Sequence, residues 1–517
     1  MPIIGRLDAI NVLDLVNSRD KAQFLAVYGR RRIGKTYLIE NYMKPRAAIY
    51  FEVTGSREGT MKDQLAYFRV ALQKTFYAGA HLPEIDRWTN AFELLAAAVE
   101  REAMSRTTAN TAQASAQPAP ALPAQASIVI FLDEAPWLDT HKSGFRSALE
   151  QAWNTRLSKI PSVRLIVCGS ASSWMIRHLR KAKGGLHNRV TEALHLRPFT
   201  LGETHDYLEK KHQTTISKES VLELYLAFGG VAYYLDLFNK SESVRQNVSR
   251  LAFTNGILRK EFATLFRSLF DDGDNHQKVV EALSVKKKGL TRGEILGVTG
   301  LKEGASLTRW LTELEEADFI AKVKVIASTK DDFRWRILDP FTLFHLRWIK
   351  PVATGLLSPA NDKDFWLNIR KGQPYKIWAG HAFETIVLVH LAAVRRALGL
   401  GAIQAEAGPW SSQNPAGRGR PRKQKPASAT GGAEIDLLFD REDSTVSICE
   451  IKHYDESYEL TDATAEAIRR KGEIFKTATR TKKNIQFVLI SASDVKANQF
   501  SKRLLSKIVT LDDLFMD

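Results

Sequence analysis

Through the first 200 residues, short continuous apolar runs alternate with stretches of helical period. Residues 24–28, 128–132 and, apart from Arg164, 163–168 are apolar without polar alternation, as strands buried on both faces of a parallel sheet are. Residues 37–42 follow the first run with the pattern of a helix start. From 201 to 272 helical spacing dominates, as in Ser220-Val221-Leu222-Glu223-Leu224-Tyr225-Leu226, and predicts a helical lid. Residues 276–349 predict three helices and a two-stranded ribbon through 322–337, the order of a winged helix. Near the C-terminus the period falls to two. Residues 433–439 and 446–452 flank the turn-like cluster Asp440-Arg441-Glu442-Asp443 and predict a β-hairpin.

Two segments break these patterns. Residues 105–127 are mostly Ala, Pro, Gln, Ser and Thr with one charge, which predicts a flexible insertion. Residues 408–432 are also loop-like but carry five Lys or Arg within 418–425. Their core, Arg418-Gly419-Arg420-Pro421 followed by Arg422 and Lys423, resembles an AT-hook, whose extended backbone lies in the narrow minor groove of A·T-rich DNA. A nonspecific basic loop is the blander alternative.

Composition narrows the setting. A net charge of +16 favours nucleic acid or another polyanion as partner. The two cysteines, Cys168 and Cys449, sit in apolar runs and read as reduced thiols of a cytoplasmic protein. No run approaches the roughly 20 apolar residues that span a bilayer, and the N-terminus lacks a signal-peptide pattern, so no membrane partner is expected.

The chemistry concentrates at two places. Residues 29–36, GRRRIGKT, match the phosphate-loop pattern between a strand and a helix. Gly29 and Gly34 let backbone N–H groups face phosphate oxygens, Lys35 supplies charge to the β- and γ-phosphates, and Thr36 supplies a magnesium ligand. Residues 128–134, IVIFLDE, end in two carboxylates. Asp133 is expected to hold magnesium and Glu134 to polarise the attacking water. Ser170, after the third apolar run, is a candidate γ-phosphate sensor. Arg189 is a candidate to stabilise transition-state charge from the same or a neighbouring subunit of a homo-oligomer.

The second place is the hairpin. Period two puts Glu450 and Lys452 on one strand face. With Asp436 facing the same way, two carboxylates bind magnesium and the lysine activates water or stabilises developing charge. Glu384, a lone acid in an apolar helical run, is a fourth candidate. In the winged helix, Arg309, with Ser306 and Thr308, would face a DNA groove, and Lys322, Lys324 and Arg334 would meet phosphates.

On IIGRLDAINVL, VYGRRRIGKTYLI, IVIFLDEAPWL, LIVCGSASSWM and AFGGVAYYL, residues 1–240 resemble the archaeal-type ATPases within the AAA+ and STAND-like P-loop NTPases. On HAFETIV, AEIDLLF and ICEIK, the C-terminal part resembles PD-(D/E)XK nuclease folds. The resemblance implies an α/β multidomain chain. Its parts are a P-loop AAA+-like core over 1–200, a helical lid over 201–272, a winged helix over 273–350 and a restriction-endonuclease-like domain over 351–517. It implies ATP and Mg²⁺ as cofactors, Arg6 near the adenine, and a nuclease site of Glu384, Asp436, Glu450 and Lys452. The expected function is an ATP-gated, Mg²⁺-dependent DNA nuclease, with defence against foreign DNA as one setting. The alternative is an ATP-dependent binding switch whose nuclease fold only docks DNA or protein. A motor fits less well, for want of a second nucleotide domain.

Overall fold

The N-terminal apolar runs form five strands: β1 (Gln23–Tyr28), β2 (Ala47–Thr54), β3 (Ser127–Asp133), β4 (Val163–Gly169) and β5 (Glu192–His195). This computed structural model describes residues 2–114, 127–180, 188–254, 256–270, 272–327, 332–353, 365–412 and 432–516. They divide into two units, Met1–Pro198 with Val231–Tyr233, and Phe199–Gly230 with Tyr234–Asp517. The segments 201–272, 273–350 and 351–517, expected as separate domains, all fall almost wholly in the second.

In the first unit the strand order is β2-β3-β4-β1-β5 and every neighbour is parallel. β1, β3 and β4 are buried along their whole length, which is why they lack polar alternation. Alternate residues still serve different cores. Phe24, Ile130 and Leu165 join Phe68, Phe92 and Leu149 from helices Met61–Phe76, Trp88–Ala114 and Phe145–Thr155. Leu25, Phe131 and Ile166 join Leu13, Leu38 and Ile39 from helices Leu7–Ser18 and Lys35–Met43. Parallel strands bring all carboxyl ends to one sheet edge, where the loops after β1, β3 and β4 converge.

One expectation is corrected here. The insertion expected to be flexible from residue 105 is helical up to Ala114. Residues 105–114 contain neither Pro nor Gly, and their alanines favour continuing the preceding helix. The rest of the insertion, 115–126, lies outside the described residues.

The second unit begins with helices, among them Leu201–His212, Lys218–Phe228 and Ile257–Leu269. Helices Gly273–Leu283, Arg292–Thr299 and Ala305–Glu316 follow, then an antiparallel ribbon of β6 (Ile320–Lys324) and β7 (Phe333–Ile337). After helix Gln373–Val389 come β8 (Ala405–Ser411), β9 (Glu434–Arg441), β10 (Thr445–Lys452), β11 (Tyr458–Glu459), β12 (Asn484–Ser491), β13 (Val495–Lys496) and β14 (Leu505–Val509). Five of these form a mixed sheet in the order β14-β12-β10-β9-β8. β8, β9 and β10 are antiparallel, whereas β10, β12 and β14 are parallel. The helix Asp462–Thr479 makes the crossover that the parallel pair β10–β12 requires.

The ribbon is built into this sheet. Ile326, just past β6, lies in one apolar core with Trp410, Ile435, Leu438 and Phe475. Its N–H donates to Pro409 O at 3.0 Å. Among the described residues no single helix is long and apolar enough to cross a membrane. Gln373–Val389 and Leu391–Ala397 reach that composition only as a pair bent by 77°.

Ribbon and sheet approach closely at Gly408, where a Cβ would stand 2.3 Å from Lys324 O. Gly408→Ala is expected to destabilise the second unit by about 1–3 kcal/mol. Gly401→Ala, where a Cβ meets nothing within 4 Å, should stay near wild type. Urea denaturation followed by circular dichroism compares the two.

Candidate functional site

The phosphate loop follows β1, and its shape depends on two glycines in the left-handed region, Gly29 at φ 145 and Gly34 at φ 94. A Cβ on Gly29 would collide with Leu196 O at 2.1 Å. Lys35 opens the following helix and is buried. Its Nζ donates to Gly29 O, Arg30 O and Ser170 Oγ, each at 3.0 Å. None of these acceptors is a carboxylate, so the positive charge is left for a phosphate. Thr36 Oγ1 donates to Asp133 Oδ2 at 2.8 Å, which joins the loop to the end of β3. This hydroxyl–carboxylate pair suits a hard divalent cation carried by a nucleotide.

Glu134 takes a left-handed conformation, φ 44, unusual for a residue other than glycine. Its carboxylate accepts from Ser170 Oγ at 2.5 Å and from Ser170 N at 3.0 Å. Ser170 therefore stands between the ammonium of Lys35 and the carboxylate of Glu134. Arg6 also reaches the loop, with Nη2 donating to Ile33 O at 2.8 Å and Nη1 to Arg197 O. These bonds brace the loop backbone.

Arg189 is not brought to this site. It is exposed and precedes β5, whose residues Glu192–His195 run parallel beside Leu25–Tyr28. It therefore lies at the sheet edge opposite the phosphate loop, roughly 15 Å or more away at the ~3.3 Å rise of a strand. An arginine placed there cannot serve the loop of its own chain. The sequence reading also missed a member: Arg32, at φ 69, lies over the Tyr233 ring at 4.2 Å and accepts from Tyr233 N at 3.1 Å. GGVAYYL was assigned to the lid, yet Val231–Tyr233 belongs to the first unit.

In the second unit the register of β9 and β10 pairs Cys449 with Leu437. One further step sets Asp436 opposite Glu450, and directly opposed residues of an antiparallel pair point to the same side. Lys452 Nζ lies 2.9 Å from Glu450 Oε1. Lys471, from helix Asp462–Thr479, lies 2.6 Å from Glu450 Oε2. Glu384, on helix Gln373–Val389, has His381 Nδ1 at 3.2 Å and Arg336 Nη2 at 3.7 Å. Among the described residues no group of three or more His, Cys, Asp and Glu is arranged to hold a metal ion.

These carboxyls titrate differently. Burial, then the charges of Glu384 and Glu450, push Asp436 up to about 6. Burial also raises Glu384, against the opposing charge of Arg336. For Glu450 burial acts upward as well, but Lys452 and Lys471 outweigh it and hold the carboxyl below its ordinary value. Lys452 is raised, because Glu450 outweighs the effect of burial.

The expected DNA contacts are engaged within the chain. Arg309 forms an ion pair with Asp272, and Thr308 Oγ1 accepts from Arg292 at 2.8 Å. Lys324 pairs with Glu406 at 3.0 Å, Arg334 with Glu294 at 3.9 Å, and Lys322 lies 4.0 Å from the Phe333 ring centroid. Arg418, Arg420, Arg422 and Lys423 lie outside the described residues.

The parallel sheet, glycine loop and acidic strand end define a P-loop nucleotide hydrolase domain. Residues 4–238 match the family described as an ATPase domain predominantly from Archaea. An uncharacterized protein of Methanocaldococcus jannaschii is 24% identical over 361 residues, 68% of this chain and 70% of that protein. Among solved structures, a Walker-type ATPase of Pyrococcus abyssi is 16% identical with a TM-score of 0.45, covering 67% of this chain and 96% of its own. The ORC2 protein of Aeropyrum pernix, in ADPNP and ADP complexes, is 13% identical with a TM-score of 0.38, covering 67% and 94%.

Two outcomes are expected. Glu134→Gln should retain ATP binding while hydrolysis falls at least ~10²-fold, whereas Lys35→Ala should lose binding itself. Fluorescent-nucleotide titration beside phosphate release separates the two. A raised folded pKa gives Asp436 a stabilising contribution that is complete below its unfolded value and lost as pH rises through about 6. Asp436→Asn should therefore gain on wild type by on the order of 2–3 kcal/mol between about pH 4 and 7, in denaturation series at each pH.

Proposed function

We propose that ATP binding and turnover by the first unit control a Mg²⁺-dependent DNA nuclease in the second. The observation that carries the reading is the β9–β10 register, whose continuation one step past Cys449–Leu437 would oppose Asp436 to Glu450, with Lys452 beside Glu450. The order of elements supports it. A helix, three antiparallel strands, a crossover helix and a parallel strand are what a PD-(D/E)XK fold uses. Three helices with a ribbon support a winged helix in the same unit.

At the acidic cluster, Asp436 and Glu450 are the donors that would hold Mg²⁺, with water and phosphate oxygens completing its shell. The ion would supply an activated water and charge stabilisation. Lys452 would donate to a phosphate oxygen, and Glu384 would add negative charge beside the pair. At the phosphate loop, Lys35 would hold the β- and γ-phosphates, Thr36 and Asp133 the nucleotide's magnesium, and Glu134 the attacking water. Ser170, touching both Lys35 and Glu134, would report the γ-phosphate to the base. Arg189 would act only across subunits of a homo-oligomer.

A second reading has its own observation. Both oxygens of Glu450 are held by ammonium groups, as they would be in a fold that docks nucleic acid without cutting it.

The test is cleavage of plasmid and linear DNA with Mg²⁺ and ATP. Wild type should cleave, and Lys452→Ala should lose about 10²–10³-fold. Lys35→Ala should change the ATP dependence and leave the acidic site intact. Equal traces from wild type and Lys452→Ala, with nucleotide-dependent DNA retention, would favour the docking reading.

A further inference from the structure

The acidic cluster has a basic wall that comes from the three-helix and ribbon segment. Arg336 alternates with Arg334 on one face of β7, where Arg334 pairs with Glu294 and Arg336 with Glu384. The Arg336 side chain is 6% exposed, and a guanidinium buried to that degree is stable only with an opposite charge beside it. Lys288, in the turn ahead of the Leu290–Trp335 bridge, pairs with Glu434. Glu434 stands two residues before Asp436 on the same face of β9.

This wall is not a loosely resting neighbour. Ile326 is part of the sheet's own apolar core, Lys324 pairs with Glu406, and Gly408 leaves no room for a Cβ beneath Lys324 O. The ribbon cannot swing away without opening that core. The cations it presents are permanent. Around the cluster, three carboxylates, Glu384, Asp436 and Glu450, are faced by Arg336, Lys452 and Lys471.

We propose that the acidic cluster is a composite site in which Arg336, with Lys288 beside it, is a positioning residue. It holds Glu384 toward Asp436 and Glu450, and it sets the net charge offered to a divalent cation and a phosphodiester. The identity of the substrate rests on the nuclease reading above, whereas the charge arrangement does not. Arg336 is a positioning residue because it acts through Glu384. Removing its charge leaves the three carboxylates under-compensated, so a divalent cation binds more tightly while Glu384 loses its fixed place.

The experiment uses the full chain without nucleotide and reads Mn²⁺ binding by electron paramagnetic resonance at pH 8. Mg²⁺-dependent DNA cleavage is measured in parallel. Arg336→Met, which keeps volume and removes charge, should bind Mn²⁺ about tenfold more tightly than wild type. Arg336→Lys should return to within about twofold of wild type, and Asp436→Asn should lose the gain when added to Arg336→Met. In cleavage, kcat of Arg336→Met should fall about tenfold with KM for DNA changed less than about threefold. Unchanged Mn²⁺ affinity in folded Arg336→Met, or an Arg336→Lys that behaves like it, overturns the proposal. Should Arg336→Met fail to fold, Lys288→Gln, on a half-exposed side chain, must tighten Mn²⁺ by about threefold, and no shift there overturns it too. If wild type cleaves no DNA while the Mn²⁺ shifts appear, the nuclease reading falls and the composite charge site stands.

Discussion

A charge taken out of water must meet opposite charge or aligned dipoles, and both sites of this chain are shaped by that constraint. The two units meet it in opposite ways. Lys35 is buried against carbonyl and hydroxyl oxygens alone, which steady the ammonium without neutralising it. A site built this way attracts a polyanion. The second unit buries carboxylates and surrounds them with cations: two lysines on Glu450, and an arginine on Glu384. A site built that way is close to neutral.

The backbone layouts follow from the same division of labour. A parallel sheet delivers loops to one edge, so Gly29–Thr36, Asp133, Glu134 and Ser170 converge though they are far apart in sequence. An antiparallel pair delivers side chains instead of loops. The register from Val446–Asp440 to Cys449–Leu437, carried one step further, puts Asp436 and Glu450 on one side, and a slip of one residue would send one acid to the other face.

What could be read beforehand divides along the range of the interactions. The phosphate loop, the acidic strand end and the hairpin are local patterns, and their strands, turns and spacing were legible in residues 23–36, 127–134 and 433–452. Residue roles that depend on tertiary placement were not. Arg189 reads as a phosphate partner in the sequence, but the parallel pairing of β5 with β1 puts it at the wrong sheet edge. Arg309 reads as a groove contact, but Asp272, distant in sequence, pairs with it. Residues 105–114 read as low complexity, yet alanine-rich sequence without a breaker extends a helix. Arg336 and Lys288 had no signal beyond the alternation of Phe333–Ile337, because their partners lie on other elements.

Lys471 shows how small that missing signal is. Arg469, Arg470 and Lys471 follow one another on helix Asp462–Thr479, which buries Ala465, Ile468, Gly472 and Phe475. Position 471 falls three after Ile468 and four before Phe475, on one margin of the buried stripe, with 469 on the other margin and 470 turned to solvent. Gly472 then decides the distance. A Cβ there would meet Phe487 Cζ at 2.5 Å, so the glycine lets the helix lie close to the sheet. That approach brings the Lys471 ammonium to 2.6 Å from Glu450 and makes an apparently solvated lysine part of the acidic cluster. The charge balance of the site is thus fixed by a glycine that carries no charge at all.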